Sequence, residues 1–352
     1  WVPNKSINND LIQKYLNNSL TTKQLTNYGP NVQLLEKMIR KYFKINDNKS
    51  VIVVNNGSTA IQVLAAGIEY KNKQKITWAT QSFTFPPSVQ ANLINAKIID
   101  IDMDGGINLD EVDNTINGII ITNIFGNIVD ISKYEIWAKD NNKFVIFDNA
   151  ATSYTFYNGQ NCLNYGTGCS ISFHHTKPFG FGEGGAIIVD KKYENEIRCL
   201  INFGIGLTDN YYVDEGTNGK MSDISAVYII QYLESNFDII INKHRQFYKY
   251  FKEQLIKRNI NYLKLFPSFH DENKIIPACF PLLIDVYDNK YQKVLLENNI
   301  FCRKYYYPLK KTTNAQYIFD HILCIPCNID MEFHDIDNIL DVISSTYLLL
   351  NS

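Results

Sequence analysis

The chain has 352 residues, of which 45% are hydrophobic and 20% are charged. This length and composition are typical of a globular protein with one large domain and one smaller domain. The formal net charge of -2 gives no electrostatic basis for binding nucleic acid or an anionic membrane. The sequence shows no apolar run long enough to span a bilayer and no basic-then-apolar leader, so neither nucleic acid nor a membrane is expected as a partner.

The number of cysteines indicates the cellular compartment in which the protein is expected. The chain has seven cysteines, an odd number, which suits reduced thiols in a cytoplasmic protein better than a disulfide framework. Cys324 and Cys327 have CxxC spacing with no second pair. A redox or zinc role is the alternative, but we interpret the two as ordinary residues at the end of a strand.

Strands and helices alternate along the first part of the chain. Apolar residues recur near helical spacing over about residues 31–43 and predict a helix there. Short β-branched or apolar runs predict strands at Val51–Val54, Ile76–Ala79, Lys97–Ile101, Ile119–Thr122, Phe144–Phe147, Ile171–Phe173 and Ala186–Val189. Helices are predicted between most of them, as at Ala60–Ala66 and Tyr134–Asp140. This alternation predicts an α/β domain with a largely parallel sheet.

The character of the sequence changes after about residue 240. A long amphipathic helix is predicted through residues 244–251, followed by a strand at Cys279–Asp285 and a final helix at Ile336–Leu350. We therefore expect residues 1–238 to form a large domain and residues 239–352 to form a small α+β domain.

The first segment with chemical potential is the small polar turn at residues 55–59, between a predicted strand and a predicted helix. Because the N–H groups at a helix start have no partners within the helix, such a turn binds anions, and the Ser58 and Thr59 hydroxyls would add donors. Taken alone, the segment is more typical of a simple N-cap.

Two further segments carry a carboxylate and a lysine. Asp148 follows four apolar residues, at the end of a predicted strand where α/β folds place ligands, although turn residues also follow strands. Lys177 lies in a loop between two predicted strands, ahead of glycines that let the backbone pass close to a bulky group. A lysine among apolar and aromatic neighbours loses its charge more readily and becomes nucleophilic, whereas a lysine in a loop is usually a solvated charge.

In combination, the three segments are the parts that pyridoxal phosphate needs. Its phosphate requires the anion site, its pyridine nitrogen requires a carboxylate that keeps it protonated, and its aldehyde requires the lysine. Together, they predict a cofactor site better than any one of them does.

In this order the segments resemble the DegT/DnrJ/EryC1/StrS family of nucleotide-sugar aminotransferases, from Thr26-Asn27-Tyr28-Gly29-Pro30 to about Pro326. The resemblance implies the aspartate-aminotransferase fold, α/β, with a mostly parallel mixed sheet in the large domain and a small α+β domain. It implies pyridoxal 5'-phosphate as the cofactor, pyridoxamine 5'-phosphate as the intermediate form, and Lys177 as the Schiff-base residue.

The resemblance also implies further site residues. Asp148 would hold the proton of the pyridine nitrogen, and Phe85 would stack on the ring. Asn218 would reach the phosphate from the neighbouring subunit of a homodimer with shared active sites; the alternative is that Asn218 caps the helix beginning near Ser222. Other phosphate contacts are implied at Gly57, Ser58, Thr59 and Ser172. Substrate contacts are implied at Tyr28, His174, Lys220, Arg303, Tyr305 and Tyr306.

Three positions depart from the family pattern. Ala151 stands where relatives usually have Gln or His, Lys220 where they usually have Arg, and His174 where they usually have Tyr. The last departure indicates a distinct subgroup.

The segment from His174 to Gly180 is most similar to enzymes that aminate C4 of a 4-keto-6-deoxyglucose nucleotide. The expected reaction transfers an amino group from glutamate to C4 of a dTDP- or UDP-4-keto-6-deoxy-D-glucose and gives a viosamine nucleotide. In it, Lys177 would shuttle a proton in two half-reactions. Three alternatives stay open: a 3-aminotransferase, a sugar 3-dehydratase, which has His in place of the lysine, and a non-catalytic binder of nucleotide sugars.

Overall fold

The computed structural model describes residues 4–267 and 275–351. Its helices are α1 (Asn9–Thr22), α2 (Pro30–Tyr42), α3 (Gly57–Asn72), α4 (Ile131–Asp140), α5 (Glu194–Leu200), α6 (Asp223–Lys257), α7 (Lys290–Glu297), α8 (Thr313–His321) and α9 (Phe333–Asn351). Its strands are β1 (Lys49–Val54), β2 (Trp78–Gln81), β3 (Lys97–Ile99), β4 (Gly118–Thr122), β5 (Phe144–Asp148), β6 (Phe156–Tyr157), β7 (Gln160–Asn161), β8 (Gly168–Ser172), β9 (Gly185–Asp190), β10 (Leu263–Leu265), β11 (Cys279–Ile284) and β12 (Ile322–Pro326).

The main sheet has seven strands in the order β1-β9-β8-β5-β4-β2-β3. Only β9 runs against its neighbours β1 and β8, and the pairs from β8 to β3 are parallel. Alternate residues of the strands enter separate cores on the two faces: Ile119 and Ile121 belong to one cluster and Ile120 to the other. Burial on both faces explains why these strands read as continuous apolar runs. The predicted α/β class with a largely parallel, mixed sheet is confirmed.

Because β1, β2, β4, β5 and β8 point the same way, their C-terminal ends meet at one edge of the sheet. The registers pair Thr122 with Asp148, Asp148 with Ser170, and Ser172 with Gly185. Segments that are far apart in sequence, including the 55–59 turn, Asp148 and the loop after Ser172, therefore converge at this edge, where open α/β sheets bind ligands.

A second sheet, β10-β11-β12, is antiparallel throughout. It packs against the second half of α6, where Phe247 and Phe251 lie in the same core as Phe280. The first half of α6 contributes Tyr232 and Leu233 to a core of the main sheet. The expected boundary between residues 238 and 239 thus lies inside α6, which contributes residues to both cores. The division into two domains stays a prediction.

Element bounds differ from the sequence predictions mainly at their ends. Helix α3 begins at Gly57, three residues before the predicted start, because the side chain of Asn56 caps it. Strand β8 begins and ends earlier than predicted, at Gly168–Ser172, and β2 begins and ends later, at Trp78–Gln81. Among the described residues, no helix has the length and apolar character needed to cross a membrane.

Candidate active site

A cavity of about 510 Å³ opens at the C-terminal edge of the main sheet. It is lined by residues of the three segments to which sequence analysis assigned the cofactor chemistry, together with Cys279 of the second sheet. The predicted site residues on its wall are Gly57, Ser58, Phe85, Asp148, Ser172, His174, Lys177, Tyr305 and Tyr306. The cavity is large enough for a ligand of cofactor size, within the usual range for such pockets.

One wall of the cavity is the start of α3. The Asn56 side chain accepts a hydrogen bond from Thr59 N at 2.8 Å, and the first intrahelical bond is donated by Ala60 to Asn56 O at 3.1 Å. The N–H groups of Gly57 and Ser58 precede that bond, and unpaired N–H groups at a helix start can bind an anion together with the helix dipole. The predicted anion site therefore has the backbone geometry it requires, while the Thr59 side chain is absent from the cavity lining.

Close packing of glycines shapes this anion site. A Cβ added to Gly57 would lie 3.0 Å from Ser172 Cβ and 3.3 Å from Ser172 Oγ. A Cβ added to Gly185 would lie 2.5 Å from the carbonyl carbon of Asn56 and 2.8 Å from Gly57 N. The helix start thus packs closely against Ser172 and β9, and a side chain at either glycine would push these segments apart and change the shape of the anion site.

Asp148 ends β5 and is only 6% exposed. Its Oδ1 accepts hydrogen bonds from Ser170 Oγ at 2.9 Å and from Ala150 N at 3.1 Å. Burial raises the pKa of the Asp148 carboxyl, while these hydrogen bonds and the positive charge of Lys177 oppose that rise. A buried carboxylate of this kind is well placed to stabilise a cation brought in by a ligand.

Lys177 lies in the loop that joins β8 to β9. The loop is held by Phe173 N to Gly184 O and His175 N to Gly182 O, each at 2.8 Å, and by Lys177 N to His174 O at 2.8 Å. Burial lowers the pKa of the Lys177 ammonium, and the charge of Asp148 opposes this effect. The amine is therefore easier to deprotonate than an exposed lysine, as a nucleophile or general base requires.

Aromatic residues form the opposite wall. Tyr306 stacks on Phe125, with ring centroids 5.3 Å apart and planes inclined by 12°. The segment carrying Tyr306 is tied to the end of β2 by a hydrogen bond from Leu309 N to Ser82 O at 2.8 Å. Phe85 lies at the cavity with 55% of its surface exposed and its ring 6.4 Å from that of Tyr306. An exposed ring at a cavity wall is available to cover a planar ligand, the role expected for Phe85.

His174 and Glu183 lie together on the cavity wall. His174 Nε2 is 3.5 Å from Glu183 Oε1, and His174 Nδ1 is 2.8 Å from Thr176 Oγ1. Both side chains are substantially exposed, 44% for His174 and 66% for Glu183. They are therefore accessible to a substrate.

The remaining predicted site residues do not line this cavity within one chain. Tyr28 donates its hydroxyl hydrogen to Glu36 Oε2 at 2.7 Å and faces the Arg198 guanidinium. Arg303 pairs with Cys324 through the backbone and has an exposed side chain. Lys220 Nζ donates to Asn202 Oδ1 at 2.8 Å.

Asn218 and Lys220 line a separate, open depression that also includes Asn27, beside Tyr28. Asn218 does not cap α6, because the Ser222 side chain itself accepts the hydrogen bond from Ser225 N at 3.1 Å. The alternative role for Asn218 as a helix cap is therefore wrong. Its side chain is exposed, as a contact to another subunit would require.

Sequence analysis missed several residues of the cavity wall. Thr122 ends β4 beside Asp148, and the edge argument that selected Asp148 would also have selected it. Glu183 lies within the glycine-rich segment already singled out. Phe125 and Cys279 reach the wall only through tertiary packing, and no local pattern marks them.

The two CxxC cysteines lie at the end of a strand. All seven are free in the described part of the chain, and Cys324 lies within β12 with Cys327 just after its end. No group of three or more potential metal ligands is found among residues 4–267 and 275–351. This placement agrees with the interpretation of the CxxC pair as strand-end residues.

The cavity fits pyridoxal phosphate in three respects. The α3 N-terminus and Ser172 form an anion site whose close contacts at Gly57 and Gly185 leave no room for side chains. Asp148 supplies a buried carboxylate, and Lys177 supplies a desolvated amine in the same cavity. Fold and site together are those of a pyridoxal phosphate-dependent enzyme of the aminotransferase fold.

Comparisons with known proteins extend this conclusion. The model of the DegT/DnrJ/EryC1/StrS aminotransferase family matches residues 6–344. The dTDP-4-amino-4,6-dideoxy-D-glucose transaminase of Shigella dysenteriae is 26% identical over 365 aligned residues, covering 94% of this chain and 93% of that protein. The chain therefore belongs to the DegT/DnrJ/EryC1/StrS aminotransferase family, and it is a pyridoxal phosphate-dependent nucleotide-sugar aminotransferase.

Solved structures share the fold at low identity. DesI, crystallised in the presence of its TDP-sugar product, superimposes with a TM-score of 0.83 at 21% identity and covers 96% of this chain and 90% of that chain. The E. coli GDP-4-keto-6-deoxy-D-mannose-3-dehydratase with bound hydrated PLP gives 0.79 at 17% identity, covering 97% and 99% of the two chains. Both confirm the predicted aminotransferase fold.

Proposed function

We propose that the protein transfers an amino group from glutamate to C4 of a dTDP- or UDP-4-keto-6-deoxy-D-glucose, giving the 4-amino-4,6-dideoxyglucose nucleotide, the viosamine nucleotide. The observation that carries the proposal is the desolvated Lys177 amine in the same cavity as the buried Asp148 carboxylate. The Shigella dysenteriae relative, named as a transaminase of this 4-amino sugar nucleotide, supports the choice of substrate and carbon.

Cofactor binding assigns distinct tasks to the cavity residues. Gly57 N–H, Ser58 N–H and the Ser172 hydroxyl would hold the phosphate at the α3 N-terminus. Asp148 would hold a proton at the pyridine nitrogen, because a buried carboxylate favours a cationic partner. Phe85 would cover the ring. When bound, pyridoxal phosphate supplies the electron-withdrawing ring that stabilises negative charge developing on the reacting carbon.

Lys177 is the acid–base group of the proposed reaction. Burial lowers the pKa of its ammonium, which favours the neutral amine. The amine accepts a proton from the α-carbon of the amino donor and delivers it to the other reacting carbon. The same residue serves both half-reactions in opposite directions, which predicts ping-pong kinetics.

The nucleotide-sugar side of the site is assigned to the predicted substrate contacts on the cavity wall. His174 lies there beside Glu183, and Tyr305 and Tyr306 line the wall contributed by the second-sheet region. Binding of the nucleotide, remote from the reacting carbon, would supply energy for orienting the sugar. Lysine rather than histidine at position 177 favours amination over the 3-dehydratase alternative.

A panel assay tests the choice of substrate. The enzyme is incubated with glutamate and the dTDP- and UDP-linked 4-keto-6-deoxyglucose and 3-keto isomers, and product mass and amine position are read by mass spectrometry and NMR. Amination at C4 of a 4-keto substrate is expected. Amination only at C3, or loss of water without amination, would replace the proposal with one of the alternatives.

We also propose a homodimer in which Asn218 of one subunit completes the site of the other. Support comes from the exposed Asn218 side chain and its depression, which lies apart from the cavity of the same chain. Because Lys177 and Asn218 would then act from different subunits, a mixed dimer of Lys177→Ala and Asn218→Ala would contain one intact site.

Subunit exchange between the two inactive variants tests this arrangement. Part of the activity should return in the exchanged mixture, whereas each variant alone stays inactive. A fully active enzyme that sediments as a monomer, or a well-exchanged mixture that recovers nothing, would contradict the shared site.

A further inference from the structure

Lys5 is distant in sequence from the cavity, yet its amine is buried against the catalytic loop. The residue is 7% exposed. Its Nζ donates hydrogen bonds to Lys177 O at 2.7 Å and to Gly180 O, and it faces the Tyr232 ring 4.5 Å from the centroid. Lysine is rarely buried. A buried lysine that donates to two carbonyl groups of one loop is therefore a candidate for a role in that loop.

The backbone around Lys5 is fixed on both sides. Asn4 N donates to Asp330 Oδ2 at 2.7 Å, in the segment after β12, and Asn8 N donates to Gln231 Oε1 at 3.0 Å, on α6. The space left around the Lys5 side chain is a void of about 20 Å³. Lys5 therefore has little freedom to leave the loop it contacts.

The loop presents two carbonyl groups towards Lys5. Lys177 O also accepts from Gly180 N at 3.0 Å, which closes a tight turn from Lys177 to Gly180. The turn is closely packed, since a Cβ added to Gly180 would lie 2.1 Å from His174 O. Buried carbonyls need donors, and Lys5 supplies one to each end of this turn.

These contacts bear directly on Lys177. One of the two acceptors is the carbonyl of Lys177 itself, so a change in the turn would move the Cα from which the amine reaches the cavity. Burial lowers the pKa of Lys5 to about 7, and its amine donates hydrogen bonds in both charge states. The support given to the turn therefore persists across neutral pH.

We propose that Lys5 is a positioning residue for Lys177. Its hydrogen bonds to Lys177 O and Gly180 O fix the turn from Lys177 to Gly180 and so hold the reacting amine in place. The inference rests on the proposed role of Lys177 in proton transfer. Lys5 itself does not line the cavity and touches no reacting atom.

The test uses Lys5→Met, with Lys14→Met as the matched control. Lys14 is a lysine of α1 whose side chain is 59% exposed and has no contact with the loop among the described interactions. Lys5→Met is expected to lower kcat by about tenfold to a hundredfold, because a displaced catalytic group loses that much. The KM for the nucleotide sugar should change by less than about threefold, because binding contacts remain.

Two readouts are independent of turnover. Amide hydrogen exchange in a peptide spanning residues 173–184 should accelerate by about tenfold or more in Lys5→Met, while the rest of the protein and the Lys14→Met variant keep the wild-type pattern. The rate at which the apoenzyme takes up pyridoxal phosphate should fall in the same variant. Lys5→Arg, which keeps the donors, should recover part of both properties.

The inference is overturned if Lys5→Met keeps kcat within about twofold and leaves exchange in residues 173–184 unchanged. It is also overturned if exchange rises throughout the protein, since Lys5 would then only stabilise the fold. If Lys5→Met does not fold, Lys5→Gln is measured in the same way and judged by the same outcomes. Failure of the wild type to aminate any nucleotide sugar would refute the proposed function, whereas the exchange and cofactor-uptake measurements would still judge Lys5.

Discussion

Substituting Gly185 by alanine should raise the Kd for pyridoxal phosphate. The added Cβ would lie 2.5 Å from the Asn56 carbonyl carbon, whereas ordinary contacts begin at 3.4 Å, so β9 and the α3 start must separate by about 0.9 Å. A phosphate hydrogen bond of about 2.9 Å stretched by that amount is no longer a hydrogen bond.

The expected change in Kd follows from the number of hydrogen bonds to the phosphate that are lost. Each hydrogen bond to a charged group contributes about 1.5–3 kcal/mol, so losing one raises the Kd for pyridoxal phosphate by about tenfold to a hundredfold. The Kd is measured by fluorescence titration of the apoenzyme, together with its unfolding midpoint.

Gly159→Ala is the control for this experiment. Gly159 has a φ of +81° and nothing within 4 Å of an added Cβ, so the substitution strains the backbone without a clash and lies outside the cavity wall. It should lower the unfolding midpoint and leave the Kd unchanged. A wild-type Kd in Gly185→Ala, or an equal loss in both variants, would refute the role assigned to the close contact.

Other substitutions test the remaining parts of the account. Lys177→Ala should abolish transamination and leave the unfolding midpoint near that of the wild type, because the side chain lines a cavity; ordinary turnover would remove Lys177 from the mechanism. Asp148→Asn should retain pyridoxal phosphate but lose most activity, since an amide does not stabilise a ring cation; a wild-type rate would show that another group protonates the ring. Burial lowers the pKa of His244 to about 4 from the usual 6.5, so its contribution to stability, about 3 kcal/mol, is present above pH 6.5 and is lost as the pH falls towards 4. Urea unfolding of His244→Asn should therefore depend less on pH in this window than that of the wild type, and parallel curves would contradict the assignment.

Local patterns predicted much of the fold and selected the candidate residues that line the cavity. The strand before Asp148 is apolar because it is buried on both faces, and the turn before α3 is small and polar because a helix must be capped there. Both features are encoded within a few residues, which is why the sequence could select Asp148 and the turn before α3 as candidate site residues.

Other parts of the site depend on contacts between distant segments. Phe125 and Cys279 reach the cavity wall, and Lys5 reaches the turn from Lys177 to Gly180, only because the sheet edge, the second sheet and the N-terminal segment pack together. Lysines are usually solvated, so no local pattern distinguishes Lys5. The exclusion of Asn218 as a helix cap likewise required the structure, since Ser222 and Asn218 are both residue types that cap helices.

Mapping the lysine that binds the cofactor tests the central claim most directly. The enzyme is saturated with pyridoxal phosphate, reduced with borohydride, digested and examined by mass spectrometry, before and after incubation with glutamate. The account predicts a phosphopyridoxyl group on Lys177 alone, and loss of this label when glutamate is added before reduction. A label on another lysine, or no label in a correctly folded protein, would contradict the assignment of Lys177 and with it the proposed enzyme.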